Sequence, residues 1–233
     1  LLKSVPWSTI SHLSGMLAEC HMPKFLLTTL IYSYSWIFDC NLTEARESVG
    51  DFLSFNDFFA RKLKDNARTI ASSKLVSPSD GRVVCYGSID STVNDLYPGQ
   101  VKGSNYALRS LLSNDKLYNE LKSSNGKIYF ATIYLSPRDY HRFHSPCDWE
   151  IESISRRQGE KLTVAPSVLS KISDIFCLNE RVVMWGYWKY GPMAIVPVGS
   201  TNVGKIIVDG EINQKATGRE QVNVKKGDEI GHF

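Results

Sequence analysis

Apolar residues recur at helical spacing in two segments at the start of the chain. The first covers residues 10–17, and the second is the uncharged stretch from Phe25 to Phe38. With Pro23 between them, the pattern predicts two short amphipathic helices that break near this proline. The second stretch is too short to cross a bilayer, because a spanning helix needs about 20 apolar residues.

The second segment is unusually aromatic. Its rings include Tyr32, Tyr34, Trp36 and Phe38. Aromatic side chains suit the headgroup level of a membrane, so one interpretation is a monotopic helix that lies in the interface. The other interpretation, two helices packed on the domain core, fits the periodicity equally well.

A third helix is predicted directly before a basic segment. Ser54 can cap it, with Asp57 three residues later, and Phe55, Phe58, Phe59 and Leu63 then share one apolar face. The basic residues that follow are Arg61, Lys62, Lys64 and Arg68, against the single acid Asp65. A basic aromatic helix suits an anionic lipid surface, although a solvated helix face is the commoner role of such charges.

From Leu75 onward the period changes from helical to β-like. Four apolar runs, at 75–87, 126–136, 181–199 and 203–213, contain the turn signals Asp80-Gly81, Tyr190-Gly191 and Asp209-Gly210. Short helices are expected around 106–121 and 167–175. The prediction is an α+β chain in which a helical, membrane-contacting region, residues 1–70, precedes a β-rich and mostly antiparallel catalytic domain, residues 71–233.

Composition excludes several classes of protein. The chain has 233 residues, of which 42% are hydrophobic and 22% charged, as in a folded globular protein. The net charge of +3 is far from that of a dedicated nucleic-acid binder, so no nucleic-acid partner is expected. Five cysteines with no C-x-x-C pair favour neither a disulfide framework nor a zinc knuckle.

Two segments carry candidate chemistry. The first, residues 77–82, places Asp80 before a glycine, which is most often simply a turn. The second, residues 134–146, holds His141 and His144 between two prolines. This spacing could hold a metal, but a suitable third ligand is missing, so no metal site is predicted. General acid and base work is the better interpretation, with Asp80 orienting an imidazole, although no nucleophile such as a G-x-S-x-G serine is present.

Eight segments in the same order resemble phosphatidylserine decarboxylase, the pyruvoyl enzyme family that makes phosphatidylethanolamine. They are FNDFFARKL (55–63), VSPSDGRV (76–83), QVKGSNYALRSLL (100–112), YLSPRDYHRFHSPCDW (134–149), GEKLTVAPS (159–167), IFCLNERVV (175–183), PVGSTNVGKI (197–206) and KKGDEIGHF (225–233). The fourth segment is highly specific. GSTNVG or KKGD alone would be weak.

The resemblance implies a self-cleaving precursor. In the family, a Gly-Ser motif shortly after the KKGDEIGHF hairpin is the cleavage point, and its serine becomes the pyruvoyl group. The chain therefore resembles the β subunit, with the pyruvoyl-bearing α subunit beyond Phe233. Gly199-Ser200 lies in a different, glycine-rich context and is rejected as the nucleophile. Both ends of the chain, Leu1 and Phe233, are expected to be cut ends.

Residue roles follow from the same resemblance. Asp80 and His144 would form the charge relay that activates the serine for self-cleavage. His141 would return a proton during decarboxylation, after phosphatidylserine forms a Schiff base with the pyruvoyl group. Tyr134 would line the substrate pocket.

The resemblance also implies partners and a location. A diacyl substrate keeps the enzyme at the membrane surface, and Tyr34, Trp36, Phe38 and the phenylalanines 55, 58 and 59 are the expected contacts. Dimers of αβ units are expected. The protein is expected to be peripheral to the mitochondrial inner membrane in a eukaryote, and otherwise to endomembranes or a bacterial inner membrane. Two alternatives are open: an inactive lipid-binding relative of the same fold, and a metal hydrolase using His141 and His144.

Overall fold

A computed structural model describes residues 22–93, 96–98, 107–124, 126–165, 174–201, 205–217 and 220–233. The helices are α1 Lys24–Phe38, α2 Phe55–Phe59, α3 Leu108–Leu112, α4 Asp115–Ser123, α5 Ile175–Leu178 and α6 Gly210–Thr217. The strands are β1 Arg82–Asp90, β2 Lys127–Tyr134, β3 Arg142–His144, β4 Trp149–Arg157, β5 Arg181–Trp188, β6 Gly191–Ile195, β7 Ile207–Val208, β8 Val222–Val224 and β9 Glu229–His232. Every pairing between these strands is antiparallel, so the predicted α+β class is confirmed.

Helix α1 begins directly after Pro23 and ends at Asp39, a left-handed residue whose N–H donates to the carbonyl of Ser35. Leu27 and Ile31 are buried. The exposed side is also largely apolar: Phe25, Leu26, Leu30, Tyr32, Trp36, Ile37 and Phe38. In the described part of the chain, no helix has the length and apolar character needed to span a bilayer. The first predicted helix, in residues 10–17, lies outside the described residues.

Local capping works as the sequence indicates at α2. The hydroxyl of Ser54 accepts a hydrogen bond from the backbone N–H of Asp57 at 3.1 Å. The helix buries Phe58 and Phe59, and Phe58 packs with Leu27 and Ile31 in one cluster. Phe58, on the apolar face of α2, is therefore covered by α1.

Three separate sheets make up the rest of the described fold. Strands β1 and β2 form a two-stranded sheet, while a three-stranded sheet has the order β3-β9-β7 and a four-stranded sheet the order β6-β5-β4-β8. The tight turn predicted at Tyr190-Gly191 is confirmed between β5 and β6. At Asp209-Gly210 strand β7 has ended, but a helix follows instead of the predicted β-like run, because Asp209 accepts hydrogen bonds from the N–H groups of Glu211 and Ile212 and starts α6.

Strand β5 lies at the centre of the core. Val182 and Met184 face the cluster that includes the three-stranded sheet and α6, whereas Val183 and Trp185 face α3 and α4. Both faces are buried, which explains why this strand reads as a continuous apolar run rather than an alternating one. The predicted helix around 106–121 corresponds to α3 and α4, while residues 167–173 of the other predicted helix lie outside the described residues.

Candidate active site

The two chemistry-bearing segments meet at the junction of the small sheets. The backbone N–H of His144 in β3 donates to the carbonyl of Pro78 at 2.7 Å, which fixes β3 against the loop that carries Asp80. Gly81 then turns the chain into β1 with a φ of +125°. A Cβ there would lie 2.5 Å from the carbonyl oxygen of Tyr134, so the close approach of β1 to the end of β2 requires glycine.

His144 has a defined orientation. Its Nδ1 lies 2.9 Å from the carbonyl oxygen of Gly227, and its Nε2 lies 3.0 Å from the hydroxyl of Tyr140. Because a carbonyl can only accept, Nδ1 carries the proton and Nε2 accepts from Tyr140. Burial raises the pKa of Tyr140 to about 12, with a further contribution from the charge of Glu229, so this tyrosine remains a donor. His144 thus presents Nε2 as its proton-accepting atom.

Asp80 is held by an arginine rather than by His144. Its carboxylate accepts from Nε and Nη2 of Arg68 at 2.9 and 2.7 Å, and Arg68 also reaches Glu44 at 2.9 Å. Among the described contacts, no direct hydrogen bond joins His144 to Asp80, since His144 donates its Nδ1–H to the carbonyl of Gly227. The negative charge of Asp80 still affects the neighbouring side chains. It helps to raise the pKa of Tyr140, and it partly offsets the effect of burial, which lowers the pKa of His141.

His141 lies deeper than His144, with 4% of its surface exposed. Its Nδ1 donates to the carbonyl of Asp139 at 2.8 Å, and its ring packs 3.9 Å, centroid to centroid, from Phe59. Desolvation lowers the pKa of His141 to about 4, with the positive charge of Arg61 acting in the same direction. The side chain is neutral at pH 7, and its Nε2 is a proton acceptor in this tautomer.

The loop before His141 is fixed by its own side chains. The carboxylate of Asp139 accepts from the N–H and the hydroxyl of Ser136 at 2.6 and 2.8 Å. The backbone carbonyl of His141 in turn accepts from the N–H of Phe233 at 3.0 Å. The end of β9 therefore lies beside His141, while His144 pairs with Glu229 at the start of that strand.

Tyr134, the predicted pocket residue, ends β2 opposite Arg82 and is half-buried. Burial raises the pKa of its hydroxyl, as does the charge of Asp139. The structure thus places Tyr134 beside the Asp80 loop and near the turn before His141. Its predicted contact with substrate stays a prediction.

The predicted membrane contacts divide into two groups. Trp36 is 85% exposed and Phe38 is 39% exposed, so both are available to a lipid surface. Phe58 is fully buried, and the prediction that it contacts lipid is wrong because α1 covers it. Phe59 is buried too, against His141, so its predicted lipid contact is also wrong. Tyr34 is half-buried and donates its hydroxyl proton to the carbonyl of Pro137 at 3.0 Å, which ties α1 to the loop before His141.

Sequence reasoning missed Tyr140, Arg68 and Phe59 as parts of this site. The sequence indicated Arg68 only as part of a basic segment, and Phe59 only as part of the apolar face of α2 and as a lipid contact. Tyr140 stands beside His141 in the sequence, so its position in the specific segment was the available signal.

The two other candidate sites are the Gly199-Ser200 segment and a metal site. Ser200, rejected as the nucleophile, accepts from the N–H of Val164 at 3.3 Å, and Thr201 donates to the carbonyl of Lys161 at 2.7 Å. Across the described ranges, no cluster of three or more His, Cys, Asp or Glu side chains is arranged to hold a metal ion.

Comparison with known proteins identifies relatives of the whole described fold. Residues 55–233 match the family model described as phosphatidylserine decarboxylase. The mitochondrial phosphatidylserine decarboxylase proenzyme of Rattus norvegicus is 33% identical over the whole of this chain, which spans 65% of that relative's length. The phosphatidylserine decarboxylase proenzyme of Methylobacillus flagellatus is 36% identical over 98% of this chain and 83% of its own length. That of Clostridium tetani is 38% identical over 89% of this chain and 66% of its own length.

Proposed function

We propose, since the chain belongs to the phosphatidylserine decarboxylase family, that it is the β chain of an enzyme that converts phosphatidylserine to phosphatidylethanolamine. The observation that supports this most directly is the hydrogen bond from His144 to Pro78, because it joins the segment with both histidines to the loop with Asp80. The names of the relatives, which are proenzymes, fit an α subunit released from the same precursor.

The residues present fit a pyruvoyl group. Strand β9, which the family resemblance places just before the cleavage motif, pairs with β3, and the N–H of Phe233 donates to the carbonyl of His141. Chain that follows Phe233 in a precursor would therefore start beside His141. When bound, the group supplies an electrophilic carbonyl that acts as an electron sink for the loss of CO₂. His141 and Tyr134 are the proposed protein neighbours of that group.

In self-cleavage, His144 is the proposed proton acceptor. The carbonyl of Gly227 keeps the proton on Nδ1, so the Nε2 lone pair can accept the proton of a serine hydroxyl. Tyr140 occupies this lone pair in the structure, and the serine would take its place. The negative charge of Asp80 would stabilise the resulting imidazolium across a short distance rather than through a direct hydrogen bond, while Arg68 holds that carboxylate in position.

In decarboxylation, His141 is the proposed proton carrier. The substrate's ammonium group must lose a proton before its nitrogen can react. The neutral Nε2 of His141 can accept this proton, because the anionic groups of the bound substrate raise the pKa of the imidazole. The buried imidazolium is then a strong acid, because desolvation favours its neutral form. It can therefore return the same proton to the α-carbon after CO₂ has left.

Membrane docking through α1 completes the proposal. A diacyl lipid leaves the bilayer at a cost of about 0.8 kcal/mol for every CH₂ exposed to water, so the site must work at the surface. The exposed apolar side of α1, with Trp36 and Phe38, supports this contact. For a eukaryotic source we propose the mitochondrial inner membrane, as the names of the mitochondrial relatives suggest, and otherwise endomembranes or a bacterial inner membrane. The boundary near residue 70 and the homodimer of αβ units stay predictions.

The test uses the full precursor. His144→Ala and Asp80→Asn should each leave one uncut band on a denaturing gel, whereas His141→Ala should be cut and should release little CO₂ from phosphatidylserine vesicles. His232→Gln, another half-buried histidine on β9, is the control and should be cut normally. Normal cleavage of both His144→Ala and Asp80→Asn would remove the relay. A cleaved wild-type protein that releases no CO₂ would favour the inactive lipid-binding relative.

A further inference from the structure

Arg61 is a buried cation with an incomplete set of partners. It follows α2 and is only 4% exposed. Its Nη2 donates to the carbonyl of Arg138 at 3.1 Å, but its buried Nε has no acceptor. Within the residues that the structure describes, no carboxylate lies within ion-pairing distance of it. A buried arginine keeps its charge, so an unpaired one at this depth is costly unless another group neutralises it.

Arg61 also borders a cavity of about 180 Å³. The other charged side chains around this cavity already have partners: Arg68 pairs with Asp80 and Glu44, and Arg138 pairs with Asp39 at 3.3 Å. The carboxylate of Asp139 accepts two hydrogen bonds from Ser136. Arg61 is therefore the lining cation whose charge is left for a ligand.

The cavity lies between the end of α1 and Tyr140, the hydrogen-bond partner of His144. Asp39, on its border, is the residue directly after α1, whose exposed side carries Trp36 and Phe38. Tyr140, also on its border, donates to His144. A headgroup that enters from the side of α1 would thus pass Arg61 on its way to the histidines.

We propose that Arg61 binds the phosphodiester of the substrate headgroup in this cavity, an assignment that rests on the proposed decarboxylase function. The phosphodiester is favoured over the substrate carboxylate for a chemical reason. An arginine paired with the carboxylate would stabilise the negative charge that disappears when CO₂ leaves, and so would slow the reaction. A phosphodiester keeps its charge throughout, so its binding to Arg61 positions the substrate without opposing the chemistry.

A purely structural role for Arg61 makes a different prediction. The guanidinium also lies 5.1 Å from the ring centroid of Phe58. In a structural role, Arg61 would hold α2 against the loop before His141 through this ring and the carbonyl of Arg138. In that case its loss would lower stability and self-cleavage, and the apparent affinity for substrate would not change selectively. The two roles are separated by comparing KM with kcat in protein that has folded and cleaved itself.

The experiment compares Arg61→Gln with wild-type enzyme on phosphatidylserine in mixed micelles. We expect complete self-cleavage, a KM raised by about 10- to 100-fold and a kcat within about 2-fold, as loss of one charged hydrogen-bonded contact predicts. Arg46→Gln is the matched control, because Arg46 is an exposed arginine paired with Asp65 at the surface. If Arg61→Gln fails to fold, Arg61→Lys keeps the charge but loses the planar fork of donors, and a KM raised by less than about 10-fold is expected. An unchanged KM, or a fall in kcat alone, would overturn the assignment.

Binding of a small probe tests the phosphodiester assignment without turnover. Glycerophosphoethanolamine, which has the phosphodiester but no carboxylate to lose, should bind to cleaved wild-type protein in calorimetry and should bind at least about 10-fold more weakly to Arg61→Gln. Inorganic phosphate that binds as tightly would show a general anion site and would overturn the headgroup assignment. Equal binding of glycerophosphoethanolamine to both proteins would overturn the role of Arg61. Absence of CO₂ release by wild type, with this binding difference intact, would refute the decarboxylase function alone.

Discussion

Burial of His141 should make the folded protein sensitive to acid. In the folded chain desolvation lowers the pKa of this imidazole from 6.5 to about 4. The unfolded chain therefore binds more protons than the folded chain between these two pH values, and stability must fall as the pH falls. The contribution is fully present above pH 6.5 and is lost progressively toward pH 4.

The magnitude follows from the size of the pKa shift. A difference of about 2.5 pKa units corresponds to a limit of about 3 kcal/mol, of which about 2 kcal/mol should already be lost at pH 5. Such a loss is a large part of the stability of a typical domain. Burial also lowers the pKa of His232, so that residue acts in the same direction and must be separated from His141.

The perturbation that isolates His141 is the variant His141→Asn. Urea unfolding of the precursor, followed by tryptophan fluorescence at pH 7.5, 6 and 5, gives the free energy of unfolding of both proteins. Whatever the offset between them at pH 7.5, wild type should lose about 2 kcal/mol more than the variant by pH 5. His232 is present in both proteins and cancels in the difference. Parallel pH dependence of the two proteins would refute the argument that His141 is held neutral by burial.

Two further predictions concern the core and the surface. Gly186→Ala should lower the free energy of unfolding by at least about 3 kcal/mol, because a Cβ there would lie 1.9 Å from a β4 carbonyl oxygen. The measurement is chemical denaturation, and the control is Gly210→Ala, whose Cβ would have no atom within 4 Å. Equal stability of the two variants would contradict the close strand contact. Replacing Phe25 and Trp36 together by serine should weaken sedimentation with phosphatidylserine vesicles at least about 10-fold, because both rings are exposed. Tyr190→Ser, another exposed ring, should bind as wild type does, and undiminished binding of the double variant would exclude α1 as the docking surface.

Features that depend on a few neighbouring residues were predictable from the sequence. The Ser54 cap, the turn at Tyr190-Gly191 and the antiparallel character of the β-rich region were correctly predicted. The sequence also grouped His141 and His144 in one short segment. These features follow from local backbone geometry and from side-chain spacing, and neither depends on distant parts of the chain.

The tertiary structure decided which side chains those local patterns meet. Phe58 belongs to an apolar helix face that was expected to contact lipid, yet α1 covers it. The spacing of apolar residues does not show which part of the protein packs on such a face. Asp80 was expected to act together with His144. Its carboxylate instead accepts hydrogen bonds from Arg68, twelve residues earlier, and His144 donates its Nδ1–H to the carbonyl of Gly227. A charged group or a hydrogen-bond donor pairs with the best suited of the groups that the fold brings within about 3 Å. Segments far apart in the chain supply those groups, so only their packing could determine how the histidines are held and which protons they carry.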